Sequence, residues 1–170
     1  GDVPALAKYM DYITIMTYDL HGYWDPKVGQ NAPLKAASYE KGYGRQLNVE
    51  WVMDYWVSKG VPKEKLNVGL ATYGRGFTLS DPARSKPGSP SKGPSPPGRY
   101  TGEDGFLAYY EICTMKTANN YNWMSQAEVP YIVKRSTWVG YDNTESLKIK
   151  VKWLKSKGFG WNSHLDHLLG

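Results

Sequence analysis

The sequence predicts an α/β fold, specifically the C-terminal portion of a (β/α)8 TIM barrel with a small α+β insertion domain. Two short apolar segments rich in β-branched residues are separated by a helical periodicity, which is typical of a parallel β-α-β unit. A stretch rich in Pro, Gly and Ser then interrupts this order, and a helical periodicity returns near the end of the chain. Strand, helix, strand, insertion and helix in this order are what the closing units of such a barrel contain.

The first half of the chain carries the β-α-β pattern. Tyr12–Asp19 is rich in β-branched and aromatic residues, which predicts a buried strand that ends in a polar loop. Asn48 stands where it can cap a helix, and Gly60 followed by Pro62 predicts the end of that helix. A second strand is predicted over Leu66–Tyr73, and short connections imply that it runs parallel to the first.

The second half of the chain mixes loop, strand and helix patterns. Ser80–Gly102 is predicted to be a loop, because it is rich in Pro, Gly and Ser. A short helical patch is predicted over Phe106–Tyr110, and strands over Val129–Val133 and Thr137–Gly140.

The last helix has its own start and stop signals. Asp142 and Glu145 fit a capping box in which Asp replaces Ser or Thr, and Gly158 predicts the end of the helix.

Composition and charge exclude several classes of protein. The net charge of +5 equals the five lysines of the last helix, which predicts a solvated helix face rather than a nucleic-acid site. These five lysines are Lys148, Lys150, Lys152, Lys155 and Lys157. No apolar run approaches the length of a membrane span, and the single cysteine, Cys113, can form no internal disulfide. The 14 Tyr and 7 Trp against 3 Phe suit a surface that stacks flat ligands bearing hydroxyl groups.

Four motifs in the chain resemble a known family. Met16–Trp24 is similar to the motif on the sixth barrel strand of family 18 glycoside hydrolases, the chitinases, and Thr72–Phe77 resembles the end of their seventh strand. Leu107–Cys113 and Trp138–Asp142 resemble parts of the insertion domain of that family. The four motifs occur in the family's order, and the resemblance covers nearly the whole chain.

The resemblance implies a domain organisation. Residues 1–79 are expected to hold barrel strands 6 and 7 with the helix between them, and residues 80–141 the α+β insertion domain. Residues 142–170 are expected to hold the last barrel helix and a truncated strand 8. The cysteine equivalent to Cys113 bonds in the family to a cysteine beyond the point where this chain stops.

The resemblance also implies an activity and its catalytic residues. Family 18 enzymes are substrate-assisted, so that the acetamido oxygen of the substrate attacks the anomeric carbon. By resemblance, Tyr18 donates a hydrogen bond to the developing oxazolinium and Asp19 holds the same acetamido group, with Met16 beside them. Met16 and Tyr18 share one face of a strand, whereas Asp19 joins them only if the strand turns into its loop there. A cap on the following turn is the structural alternative for Asp19.

A second group of residues is expected to bind the saccharide. By resemblance, this group consists of Trp24, Tyr73, Arg75, Glu103, Tyr141 and Trp161. Trp24 is expected to stack on a pyranose ring, and packing within its loop is the alternative. Arg75 could instead serve as a member of a structural ion pair, because a charged residue is seldom buried without a partner.

Neither a metal nor a cofactor is expected. His164 and His167 have a spacing that could suggest a metal site, but a catalytic zinc needs three protein ligands and an open position. In the alternative alignment with the eighth strand of the family, both histidines stand where Asp is usual.

The general acid of the family is missing from the chain. In the family it is a Glu that closes an Asp-x-x-Asp-x-Asp-x-Glu motif, and none of the 16 acidic residues lies in such a pattern. Glu111 lies in a different motif from the one that carries the general acid, and Glu103 lies in the predicted insertion. The sequence therefore predicts a fragment of a secreted, endo-acting, retaining chitinase that is inactive alone. Its partner is expected to be chitin or a chitooligosaccharide. No binding to nucleic acid or to a membrane is expected, and the protein is expected to be a monomer. The alternatives are a non-catalytic chitinase-like lectin and an unrelated basic interaction domain.

Overall fold

The computed structural model describes residues 2–160 and contains a small parallel sheet. Strand β1 (Ile13–Ile15) pairs in parallel with strand β2 (Leu66–Val68), with Ile13 opposite Leu66 and Ile15 opposite Val68. Gly160 forms a further parallel bridge with Asn67 of β2. The predicted parallel β-α-β unit is therefore confirmed, although both strands are shorter than predicted. The first one ends early because the amide of Thr17 turns back to the carbonyl of Ile15.

Three helices accompany this sheet: α1 (Val3–Tyr9), α2 (Val49–Ser58) and α4 (Thr144–Lys157). The predicted cap of α2 is confirmed, since Asn48 Oδ1 accepts a 2.9 Å hydrogen bond from the amide of Trp51. The helix ends at Ser58, and Gly60 just beyond it has a φ of +95°, in the left-handed region that favours glycine. Within residues 2–160, no helix is long and apolar enough to cross a membrane.

The apolar faces of the helices cover the parallel sheet. Their buried side chains form one cluster with those of the strands, which includes Ile15, Val49, Met53, Leu66, Val68, Val151, Trp153 and Leu154. Burying each large apolar side chain contributes about 1.5–3 kcal/mol. This cluster therefore fixes the directions of β1 and β2 and of the loops that follow them.

The cap of α4 differs from the prediction. Asn143, not Asp142, caps this helix, because its Oδ1 accepts from the amide of Ser146 while Ser146 Oγ accepts from the amide of Asn143, both at 2.9 Å. Asp142 is buried and its two carboxylate oxygens lie 2.7 and 2.8 Å from Nζ of Lys150. Lys150 is therefore not part of the predicted solvated face, while the other four lysines of the helix are exposed.

The second sheet has six strands and is antiparallel. In spatial order its main path contains β4 (Ser91–Pro94), β3 (Tyr73–Leu79), β8 (Thr137–Gly140), β7 (Val129–Lys134) and β6 (Tyr121–Met124). Strand β5 (Phe106–Ala108) also pairs with β3 and is followed by helix α3 (Tyr109–Met115). The strands predicted over Val129–Val133 and Thr137–Gly140 are confirmed.

Three predictions for this region are wrong in detail. The strand predicted over Leu66–Tyr73 ends at Val68, and a new strand begins at Tyr73. The predicted loop contains β4, and the predicted helical patch is split between β5 and α3. These differences arise because β3 pairs with β4 and with β5. Such pairing joins residues that are distant in the sequence, so local patterns do not reveal it.

The described part of the chain is a partial α/β region and does not close a barrel. The six-stranded sheet extends from Tyr73 to Gly140, so β3 pairs with strands of the predicted insertion domain. The division of the chain at residues 79 and 141 stays a prediction.

Candidate functional site

The candidate site is built around Asp19, where the chain turns after β1. Asp19 has a φ of +57°, and its amide donates a 2.8 Å hydrogen bond to Oδ1 of Asn31. A left-handed backbone is uncommon for a residue other than glycine, although Asp tolerates it better than most. The predicted turn at this residue is therefore present. It brings the Asp19 carboxylate toward β3.

Strand β3 supplies the two partners of the Asp19 carboxylate. Residues two apart on a strand point to the same face, so Tyr73 and Arg75 lie side by side. Tyr73 Oη donates to Asp19 Oδ1 at 2.6 Å, and Arg75 Nε donates to the same oxygen at 2.8 Å. Because both bonds are accepted by Oδ1, Oδ2 is the oxygen that can accept from a ligand. The Asp19 side chain is 40% exposed, so a ligand can reach it.

The partners of Asp19 keep it ionised. Burial raises the pKa of Asp19, but the hydrogen bonds from Arg75 and Tyr73 outweigh burial, and the net pKa lies below its ordinary value. Burial and the bond to Asp19 together raise the pKa of the Tyr73 phenol. At neutral pH the site therefore presents a carboxylate anion held by a neutral phenol and a guanidinium.

Aromatic rings surround the guanidinium of Arg75. Its central carbon lies 5.2 Å from the ring centre of Trp24 and 5.4 Å from those of Tyr73 and Phe106, within cation–π distance. Trp24 is 51% exposed, so its indole is open to solvent beside the polar pair. An exposed flat ring next to hydrogen-bonding groups suits a ligand that has both an apolar face and hydroxyl groups.

The remaining residues predicted for the site, which follow β1 or lie in the insertion, are at the edges of this group. The Tyr18 ring packs edge-on to Tyr73, with centroids 6.0 Å apart, and Met16 is 71% exposed. Glu103 Oε1 lies 4.0 Å from Arg75 Nη1, with a side chain that is 63% exposed. Gly69 permits the position of Tyr18, because a Cβ there would lie 3.0 Å from the Tyr18 ring and 2.7 Å from the carbonyl of Ile15.

The structure does not bring Tyr141 into this group. Its side chain is 2% exposed and packs in a core cluster with Leu107, Ile112 and Val139. Its ring centre lies 6.4 Å from that of Tyr109. The saccharide-binding role expected of Tyr141 therefore stays a prediction.

Trp161, the last residue expected to bind the saccharide, lies outside the described residues, as do His164 and His167. Within residues 2–160, no group of three or more His, Cys, Asp and Glu side chains is arranged to hold a metal ion. Cys113 is exposed on α3.

Sequence reasoning did not anticipate the surroundings of two further titratable residues. One is His21, whose ring nitrogens face the carboxylates of Asp25 and Glu40. Its spacing from Asp25 was a signal available in the sequence, whereas Glu40 lies too far along the chain to be recognised.

The other is Glu111, a buried carboxylate at the start of α3. It accepts hydrogen bonds from the amides of Tyr100 (2.8 Å), Thr101 (3.1 Å) and Ala108 (3.0 Å) and from the Thr101 hydroxyl (2.7 Å). Burial raises the pKa of Glu111, but these bonds outweigh it and lower the pKa to about 2. A proton donor needs the opposite shift, so Glu111 is a structural carboxylate that holds the preceding loop.

We expect a Glu111→Gln variant to lower the free energy of unfolding by about 1–3 kcal/mol near neutral pH, because an amide group would face donors. The pKa of Glu111 is lower in the folded protein, so its contribution is present above the ordinary value of 4.5 and is lost as the pH falls toward about 2. Urea unfolding at several pH values measures this. Glu103→Gln, at an exposed position, is the control. Parallel stability curves for Glu111→Gln and the unmodified protein would contradict the assignment.

The fold and the site together define a class: an α/β protein with a cluster of charged and aromatic side chains at the carboxyl end of a parallel strand. Comparison with known proteins gives the family. Residues 1–162 match the family described as "Glycosyl hydrolases family 18", and the chain belongs to this family.

Curated relatives of the chain include two mammalian proteins. It is 38% identical over 174 residues to "Chitinase-3-like protein 2" of Homo sapiens, covering 99% of this chain and 44% of the relative. It is also 38% identical over 173 residues to "Chitotriosidase-1" of Mus musculus, covering 99% of this chain and 37% of the relative. The chain therefore spans less than half the length of these relatives.

Solved structures resemble the chain closely. A Group IV chitinase of Ostrinia furnacalis in complex with allosamidin matches with a TM-score of 0.89 and 42% identity over 94% of this chain and 44% of that one. Human YKL-39, described as a pseudo-chitinase with retained chitooligosaccharide binding properties, matches with a TM-score of 0.89 and 39% identity over the same shares.

Proposed function

We propose that this chain is the C-terminal part of the catalytic domain of an endo-acting chitinase. The parent protein hydrolyses polymers of β-1,4-linked N-acetylglucosamine by a substrate-assisted, retaining mechanism. The observation that carries this proposal is the Asp19 carboxylate, held as an anion by Tyr73 and Arg75 beside the exposed Trp24.

The geometry fits the needs of substrate-assisted hydrolysis. In that reaction the acetamido oxygen attacks the anomeric carbon, the bond to the leaving oxygen breaks, and the leaving oxygen takes a proton from a general acid. The acetamido nitrogen gains positive charge, which an anionic acceptor stabilises. Asp19 Oδ2 would accept from the acetamido N–H, because Oδ1 is occupied by Tyr73 and Arg75. Tyr18 would donate to the oxygen side of the same group.

Other side chains would bind the sugar rings. The exposed indole of Trp24 would stack on a pyranose, and Arg75 and Glu103 would contact hydroxyl groups at the cleft wall. A structural relative supports a saccharide ligand, since a GH18 chitinase of Cycas revoluta with 28% identity was solved in complex with (GlcNAc)3. Water that attacks the intermediate would restore the sugar with retained configuration.

The proton donor of this mechanism would be supplied by residues upstream of the chain. Of the glutamates considered for this role, Glu111 is engaged with four donors and Glu103 is exposed. We place the general acid, a Glu, on the fourth barrel strand of the full-length protein. In the same proposal, residues 80–141 form the insertion domain between the barrel parts 1–79 and 142–170, and the protein is secreted and monomeric.

A chitinase-like lectin is the second candidate. It is favoured by the resemblance to human YKL-39, whose description combines pseudo-chitinase with retained chitooligosaccharide binding. Retention of Tyr18 and Asp19 in this chain favours the enzyme, because a binding protein has less need of a complete acetamido clamp.

The two candidates are separated by assaying the full-length protein that contains this chain. We expect the full-length protein to release the chromophore from a chromogenic chitooligosaccharide, and the 170-residue chain alone to show no turnover. Circular dichroism of the chain is the control for its folding. Binding without hydrolysis by the full-length protein would favour the lectin. Turnover by the chain alone would contradict an upstream general acid.

A further inference from the structure

The imidazole of His21 is enclosed between two carboxylates. Its Nδ1 lies 2.8 Å from Asp25 Oδ2 and its Nε2 lies 3.1 Å from Glu40 Oε1. The His21 side chain is 11% exposed, and that of Glu40 is 4% exposed. The Nδ1 contact with Asp25 is a hydrogen bond, whereas Nε2 faces Glu40 at ion-pair distance only, so the charged ring is the form that both carboxylates attract.

The loop that carries His21 also carries Trp24. Gly22 lies against the Trp24 indole, and any Cβ at that position would overlap with the ring. Gly29 lies against the His21 ring, where a Cβ would be 2.7 Å from Cγ. The amide of Asp25 donates to the carbonyl of Gly22 at 2.8 Å and closes the turn between them. The positions of the two rings are therefore set by the same tight turn.

Glu40 anchors this turn to another part of the chain. Its amide donates to the carbonyl of Ala37 at 3.1 Å, in the segment that precedes α2. A cavity of about 280 Å³ separates the two segments, and Lys27, Tyr39 and Lys41 also line it. The ion pair from His21 to Glu40 bridges one wall of this cavity.

We propose that His21 is a positioning residue: by joining Asp25 and Glu40, it fixes the loop that presents Trp24 against Arg75 at the saccharide site. The inference rests on the proposed function only in taking a saccharide as the ligand. The geometry that joins His21 to the Trp24 loop does not depend on the proposed function. The imidazolium does not touch the sugar, and it acts only through the orientation of Trp24.

The charge of His21 makes this positioning dependent on pH. Burial lowers the pKa of His21, but the contacts with Glu40 and Asp25 outweigh burial and raise it above its ordinary value. The stabilisation is therefore complete below the ordinary value of 6.5 and is lost as the pH rises through the raised pKa. Lys27, Lys41 and Tyr39 also line this cavity, and the phenol of Tyr39 stays neutral because burial and the Glu40 carboxylate raise its pKa.

The first test measures the coupling between His21 and Trp24 in the full-length protein. We expect His21→Gln to raise the Kd for a chitooligosaccharide about 10-fold at pH values where the imidazole is charged, with kcat changed by less than about 2-fold. Trp24→Ala should weaken binding by a similar factor. The double variant should bind no more weakly than Trp24→Ala alone, because contacts that act through one another are not additive.

Controls separate positioning from a general loss of stability. Glu111→Gln is expected to lower the melting temperature without changing the Kd, because it lies outside the loop. Glu40→Gln provides a second variant if His21→Gln does not fold, and it should shift the Kd in the same direction. Additive effects of His21→Gln and Trp24→Ala would overturn the inference.

The second test needs no sugar. In protein labelled with 5-fluorotryptophan, the ¹⁹F resonance of Trp24, assigned through Trp24→Phe, is expected to shift with pH as His21 titrates. The shift should be absent in His21→Gln. A resonance insensitive to both pH and His21→Gln would overturn the inference even if Trp24→Ala weakens binding. Conversely, if Trp24→Ala leaves the Kd unchanged while the resonance follows His21, the proposed sugar-stacking role fails and the positioning role stands.

Discussion

An Asp19→Asn variant of the full-length protein is expected to lose about 10²–10³-fold in kcat on chitooligosaccharides, because it removes an electrostatic stabiliser of the transition state. Asn has nearly the shape of Asp and also tolerates the left-handed backbone found at this position. The variant therefore removes the charge while leaving the turn in place. KM should change much less than kcat, since the charge that Asp19 stabilises develops only during the reaction. Steady-state kinetics on a chromogenic chitooligosaccharide measures both constants.

Two further variants define the cause of this loss. Glu103→Gln removes an exposed carboxylate 4.0 Å from Arg75, and we expect less than about a 3-fold change in kcat. Tyr73→Phe removes a donor to Asp19 and should raise the pKa of that carboxyl, so that the acidic limb of the kcat profile moves to higher pH. An Asp19→Asn variant with half of the original kcat would contradict the assigned role of Asp19.

Local signals in the sequence predicted helices α2 and α4 and the parallel pairing of β1 with β2. Asn48 and Gly60 bound α2 as expected, because capping depends on a few neighbouring atoms. The carboxyl end of β1 and the start of β3 were recognised through their motifs, and the structure brings Tyr18, Asp19, Trp24, Tyr73 and Arg75 together.

Features that depend on distant partners could not be predicted in the same way. Strand β4 has Pro and Gly in its sequence, and only its pairing with β3 makes it a strand. His21 and Glu40 are 19 positions apart, and no periodic pattern relates them. Tyr141 follows a well-recognised motif, but a motif does not report whether a side chain points into the core or out of it.

The cap of α4 shows how a tertiary contact selects between two local solutions. Asp142 and Asn143 are adjacent, and both residue types cap helices well. The structure uses Asn143 because Asp142 is committed to Lys150, whose ammonium also donates to the carbonyl of Ala32 at 2.5 Å. The buried ion pair therefore sets where α4 begins and ties it to the chain before α2.

Lys150→Met is expected to lower the free energy of unfolding by about 3–5 kcal/mol, because it leaves the carboxylate of Asp142 buried without its cation. The Lys150 and Asp142 side chains are 1% and 0% exposed, so water cannot replace the lost partner. Methionine fills most of the space of the lysine stem, which limits the contribution of a cavity. Urea unfolding followed by circular dichroism gives the change. A loss below about 1 kcal/mol would contradict the assigned role of this ion pair.

The double variant Lys150→Met/Asp142→Asn separates the buried charge from the loss of packing. It removes both charges and keeps an oxygen that can accept from the Ser146 hydroxyl, which donates to Asp142 at 2.7 Å. We expect it to recover most of the stability lost in Lys150→Met, since replacing both members of a buried pair is often nearly neutral. Lys152→Met, at an exposed position of the same helix, should change the free energy by less than about 0.5 kcal/mol. If the double variant is as unstable as Lys150→Met, the loss arises from packing of the lysine stem and not from an unpaired carboxylate.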